Sequence, residues 1–328
     1  MSTQTKTATF PLIGPYVLKW RNWLRHERQP HYCLAPVKHS VTEFPPYAID
    51  MWPLLALPFG TLDEDGVPYN EGLMGYPATY HPTAIAQYAL AHWNACIASE
   101  DKKHLQPFMT QANWLVAHES RIADDQGGWP MPFPSHRYGA SNPWLSALTQ
   151  GNCISVLVRA HHLTGEAIFL QVARRAIRTF ELDIKQGGVS ASVGKNGIFF
   201  EEVAANPPAH VLNGYILALF GLYDYVALTG DSLIAALIQR SLVTLHTLIA
   251  EFDMGYWSCY DLRYKGLASR FYHALHITLL QALARYSGCE HCANLAERWA
   301  RYQKSFVCRT RYLITYLTLR VYRVLRSQ

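Results

Sequence analysis

Tyrosines, arginines, carboxylates and histidines gather in four short stretches of this 328-residue chain. They are GYPATYHPTAIAQY at 75–88, ALTQGNCISVLVRAHHLTG at 147–165, FFEEVAANPPAHVLNGYILALFGLYD at 199–224 and CYDLRYKGLASRFYHALHI at 259–277. Phenols and carboxylates move protons, and arginine holds anions in a two-pronged grip, so these types suit proton transfer beside a bound anion. Each also has a plainer reading. Tyr260 and Tyr272 fit buried tyrosines with satisfied hydroxyls. His273 and His276, at i and i+3, share a helix face and could ligate a metal, but no third ligand is evident and hydrogen-bonded histidines are the better account. Glu201 and Glu202 are neighbours that point different ways, so only one is expected in a cleft. His161 and His162 read as the exposed end of a helix.

The elements that must position these groups are helices. From His81 the apolar residues recur at helical spacing, around 81–99, 103–121, 143–164, 166–181, 208–229, 231–251, 270–287 and 289–305. Long Gly-, Pro- and aromatic-rich loops fall at 124–134, 185–197 and 253–266. Paired helices with alternating short and long connections predict a mainly α fold, an (α/α) toroid or incomplete α-barrel, with the long loops making a cleft at one end. GVSAS near 188–192 is strand-like. The expected divisions are a basic aromatic arm over 1–50, a turn or hairpin segment over 51–80, the toroid over 81–305 and a basic tail over 306–328.

Half the residues are hydrophobic and 16% are charged, which excludes a disordered chain. The 13% aromatic content, with 20 Tyr, fits an aromatic core and also the flat faces of a sugar site. The seven cysteines fit free thiols. Cys289 and Cys292 make a lone C-x-x-C, and without a second ligand pair no metal is expected. No signal peptide and no apolar run of transmembrane length are read, which places the chain in the cytoplasm. Net charge is +5, but residues 1–40 carry about +5 and 298–328 about +8, leaving an acidic middle. Basic ends predict an anionic partner. The tail RTRYLITYLTLRVYRVLRSQ mixes Arg and apolar residues at helical spacing. It suits either a helix on the inner face of an anionic membrane or one packed on the domain.

From about residue 65 to 302 these motifs, in the same order and at similar spacing, resemble the C-terminal catalytic domain of heparosan/heparan-type D-glucuronyl C5-epimerases. That family shows Y-P-T-x-I-A-Q, G-G-W-P, Q-G-Q, Y-E-E-Y-P, L-N-G-F, G-L-Y-D, Y-D-L-R-H and Y-H-x-x-H-I in turn. The resemblance implies inversion of C5 of D-glucuronate to L-iduronate within an acidic, heparosan-like polysaccharide. A proton is removed α to a carboxylate and returned on the other face, with no cofactor and no metal. It implies Tyr260, Tyr272 and Glu202 as catalytic groups. Arg263, Arg270, Asn213, Gln150, His273, His276 and Tyr80 would bind substrate, with Arg263 or Arg270 on the enediolate. A homodimer is implied, and no nucleic-acid partner. Val203 stands where the animal enzymes have a catalytic tyrosine, and one residue is missing between Arg270 and Tyr272. A lyase or hydrolase on the same scaffold, with Glu202 and Asp261 as the hydrolase pair, and a non-catalytic glycan-binding relative are the competing readings.

Overall fold

A computed structural model describes residues 32–35, 44–56, 60–70 and 77–326. Among these, eight long helices form four consecutive hairpins. The first is α1 (Pro82–Ser99) with α2 (Leu105–Ala117), and the second α3 (Ala147–Thr164) with α4 (Ala167–Arg178). The third is α5 (Leu212–Thr229) with α6 (Ser232–Leu248), and the fourth α7 (Arg270–Ser287) with α8 (Glu290–Lys304). A ninth helix, α9 (Phe306–Arg326), follows.

Local chemistry sets the ends. Pro82 opens α1, Ser146, Asp231 and Ser269 cap the starts of α3, α6 and α7 with side-chain oxygens, and Gly165, Gly230 and Gly288 end α3, α5 and α7. The odd-numbered helices pack on one another in the order α1, α3, α5, α7, each with its even-numbered partner outside. The exposure follows. α5 is buried nearly all round, whereas α4 buries one stripe, Phe169, Val172, Ala173, Ala176 and Ile177, at helical spacing. This is the incomplete (α/α) toroid.

α3 and α5 approach most closely, because Gly151 and Gly221 face each other. A Cβ added to Gly221 would stand 2.2 Å from the Gly151 carbonyl oxygen. Beside that contact Arg159 Nη1 donates to Asp224 Oδ2 over 2.6 Å, and Ser155 Oγ donates to the same oxygen over 2.7 Å, all out of water. The open side of the ring, between α7 and α1, is covered by a segment read as part of the basic arm. Cys33–Leu34 pairs antiparallel with Ile49–Asp50. Thr278 and Arg285 of α7 donate to the carbonyls of Tyr32 and Ala35, while Asn94 of α1 bonds the backbone of Tyr47 and Ile49. The arm's residues 1–31 and 36–43 lie outside the described residues.

The 51–80 segment holds a three-stranded antiparallel sheet, Thr61–Leu62, Pro68–Asn70 and Thr79–Tyr80. The strand-like 188–192 stretch becomes the hairpin Ser190–Val193 with Gly197–Phe200. One expectation needs correcting. Leu212–Thr229 and Ser232–Phe252 are each long and apolar enough, by length and composition, to cross a membrane. The first is 72% buried inside the ring and carries the Asp224 ion pair, as an inner helix of this fold requires.

Candidate active site

The hairpin Ser190–Val193/Gly197–Phe200 runs directly into Glu201 and Glu202, in the loop that leads to α5, and the two acids part there. Glu201 is fully buried and structural. Its Oε2 accepts from the backbone N–H groups of Ala209 and His210, and its Oε1 lies 2.5 Å from His210 Nδ1. Glu202 is only half-buried. Asn213 Nδ2 donates to its Oε2 over 2.9 Å, and the Tyr260 hydroxyl donates to its Oε1 over 3.2 Å. Gly214 makes room, since a Cβ there would stand 2.3 Å from Glu202 Oε2. Burial pushes the Glu202 carboxyl up to about 7, against the opposing pull of the Tyr260 and Asn213 hydrogen bonds.

The loop before α7 sets Tyr260. It runs antiparallel to Val211 at Asp261, and Leu212 N–H donates to the Tyr260 carbonyl. Tyr272, in the first turn of α7, meets the Tyr260 ring edge to face at 4.7 Å. Burial and then the Glu202 charge raise the phenol pKa of both. Glu202, Tyr260 and Tyr272 therefore form one partly exposed chain of proton-carrying groups.

The other residues singled out in the sequence have different surroundings. His273 and His276 are fully enclosed beneath this loop rather than on its surface. Ser258 Oγ lies 2.8 Å from His273 Nδ1 and 3.0 Å from His276 Nδ1, and Trp257 stacks on His273 at 3.8 Å. Burial lowers their pKa to about 4 and about 3, so both are neutral and pin the loop two residues before Tyr260. Gln150 is also fully buried, donating to the Trp129 carbonyl. Neither it nor the histidines present an atom to a bound sugar. Asn213 orients Glu202. Tyr80 donates to Asp63 over 2.7 Å and packs against Tyr69 and Trp114.

Arg263 braces loops, its Nη1 donating to the carbonyls of Tyr138 and Pro207. Arg270 opens α7, where burial and then the charge of Arg309 on α9 lower its pKa. The sequence reading missed Arg137. Its Nη2 donates to Asp261 Oδ2 over 2.8 Å while half the side chain stays exposed, and its guanidinium carbon lies 5.9 Å from the Tyr260 ring centre. Only its place in a long aromatic loop could have flagged it. Asp261 is wholly enclosed, accepting also from the Tyr138 hydroxyl and the Tyr264 N–H. It offers no carboxylate to the cleft, which removes the hydrolase pair. Val203 is buried among Met131, Tyr138, Trp144 and Val211.

The sequence model for the D-glucuronyl C5-epimerase C-terminus matches residues 123–301, which spans every residue of this cluster. The chain belongs to that family. It is 31% identical over 228 residues to the D-glucuronyl C5-epimerase of Caenorhabditis elegans, covering 63% of this chain and 36% of that one. An uncharacterized protein of Methanocaldococcus jannaschii is 29% identical over 175 residues, covering 52% of this chain and 56% of its own. The chain thus spans from about a third to just over half the length of these curated relatives. Among solved structures, a family 76 glycoside hydrolase from Bacteroides thetaiotaomicron superposes with a TM-score of 0.43 at 13% identity, over 71% of this chain and 50% of its own. An unsaturated glucuronyl hydrolase from Bacillus sp. GL1 superposes with a TM-score of 0.43 at 12% identity, over 68% of this chain and 60% of its own.

Proposed function

We propose that this chain inverts C5 of D-glucuronate to L-iduronate within an acidic, heparosan-like polysaccharide. The observation that carries the reading is the partly exposed Glu202–Tyr260–Tyr272 chain in a member of this family. Inversion removes the C5 proton, leaves an enediolate on the substrate carboxylate, and returns a proton from the opposite side. Tyr260 takes or gives the proton on one face, passing it to and from Glu202 over their hydrogen bond. Tyr272 serves the other face, so the sugar enters by parting the two rings. Arg137, whose guanidinium carbon lies 5.9 Å from the Tyr260 ring centre, stabilises the doubly negative intermediate.

Val203 supplies no hydroxyl where the animal enzymes carry a tyrosine, so the proton traffic runs through these three groups alone. That departure also favours the second reading, a glycan-binding relative without activity. Incubation with heparosan in deuterated water separates the two: deuterium at C5 supports epimerisation, whereas polymer binding without exchange supports the binding protein. An unsaturated, ultraviolet-absorbing product would make the chain a lyase.

A further inference from the structure

On the outer side of the ring, away from Tyr260, the fold completes a ligand set that the sequence shows only in part. The C-x-x-C of Cys289 and Cys292, taken alone, points to no metal. In the structure His246, on the last turn of α6, is brought against it. Its Nε2 lies 3.0 Å from Cys289 Sγ. The ligand atoms of His246, Cys289 and Cys292 all lie within 4.8 Å of one another. We propose that these three residues bind a zinc ion that clamps the end of α6 to the start of α8.

The donor set is chemically selective. Two thiolates and an imidazole suit zinc and exclude the oxygen-seeking magnesium and calcium. Zinc bonds of about 2.3 Å to sulfur and about 2.0 Å to nitrogen set tetrahedral donors roughly 3.5–4 Å apart, so the observed group needs only small side-chain adjustments. The backbone favours the charged form as well. Cys289 caps α8, and Cys292 N–H donates to its sulfur over 3.1 Å, at the positive end of the helix dipole. Both thiols are buried, at 8% and 0% exposure, so a bound cation would be shielded from water on the sulfur side. Binding of one Zn²⁺ as a dithiolate displaces two thiol protons, forms two Zn–S bonds and one bond from a His246 ring nitrogen, and changes no oxidation state. His246 is exposed, and the His291 ring stands near it with its centre 6.2 Å from that of His246.

The test uses the full chain, reduced and stripped of metal, titrated with Co²⁺ and then Zn²⁺. One cobalt per chain with a thiolate-to-metal charge-transfer band is expected, displaced by zinc with release of two protons and a rise in melting temperature. Cys292→Ser and the surface change His246→Asn should each weaken cobalt binding by at least about tenfold, whereas Cys33→Ser, at an exposed cysteine elsewhere, should not. His246→Asn should keep the native circular dichroism, which separates ligand loss from misfolding. No charge-transfer band in the reduced wild type, or a band that survives both Cys292→Ser and His246→Asn, would overturn the assignment.

Discussion

The Tyr260 hydroxyl donates to Glu202 Oε1 over 3.2 Å, although the two residues are 58 positions apart and arrive on different loops. The bond favours the Glu202 carboxylate, while burial and then the Glu202 charge hold the Tyr260 phenol protonated. In the proposed reaction Glu202 would supply the ionisation near neutrality and Tyr260 the phenol that meets the substrate. The two act together there, because a phenol with an ordinary pKa near 10 is seldom ionised at neutral pH without a base beside it.

Activity should follow that pair. With the Glu202 carboxyl at about 7, kcat/KM for C5 exchange should rise as pH climbs through about 7. Glu202→Gln should remove that limb and most of the rate. A profile with no ionisation near 7 would contradict the assignment.

The same shift makes stability depend on pH. The folded-state pKa of about 7 lies above the ordinary 4.5, so between these values the folded chain holds a proton that the unfolded chain has lost. Glu202 thus lowers stability progressively as pH rises from about 4.5 to 7. Glu202→Gln should gain melting temperature over wild type at pH 8 and little at pH 4.5, read by thermal melts across that window.

The tyrosines should separate by face. Tyr260→Phe should cut exchange by about 10²–10⁴-fold. Tyr272→Phe should lose inversion while still washing deuterium into one epimer, as loss of one of two facing groups requires. Magnetic resonance at C5 of each epimer distinguishes the cases.

Much of this was legible in the sequence because helix signals are local. Pro82, Ser146, Asp231 and Ser269 at the starts and Gly165, Gly230 and Gly288 at the ends mark the hairpins without any tertiary information. What could not be read depends on contacts distant in the chain. Residues 44–51 carry no periodicity, yet they cover the open side of the ring because Asn94 and Asn152 meet Tyr47 there. Arg137 reaches Asp261 across 124 residues from a loop with no regular pattern. The family motif flagged His273 and His276, but not that Trp257 and Trp299 enclose them.

The core pair is the next prediction. Asp224→Ala leaves Arg159 buried without its carboxylate and should cost about 3–5 kcal/mol. Urea unfolding monitored by tryptophan fluorescence measures it. A cost below about 1 kcal/mol would mean that the pair is open to water.

α9 has two faces. Tyr312 is buried against Trp257 at 4.5 Å, while Phe306, Val307 and Ile314 stay exposed near Arg309 and Arg311. Phe306→Ser with Ile314→Ser should weaken sedimentation with anionic liposomes and leave the melting temperature unchanged, provided the outer face meets a membrane. Tyr312→Ala should instead lower the melting temperature.

The central claim is that the Glu202–Tyr260–Tyr272 chain exchanges the C5 proton of a uronate polymer. Heparosan incubated with the protein in deuterated water should gain deuterium at C5 and yield iduronate, and Tyr260→Phe should slow both by about 10²–10⁴-fold. Absence of C5 deuterium from wild type on heparosan and on other uronate polymers would contradict it.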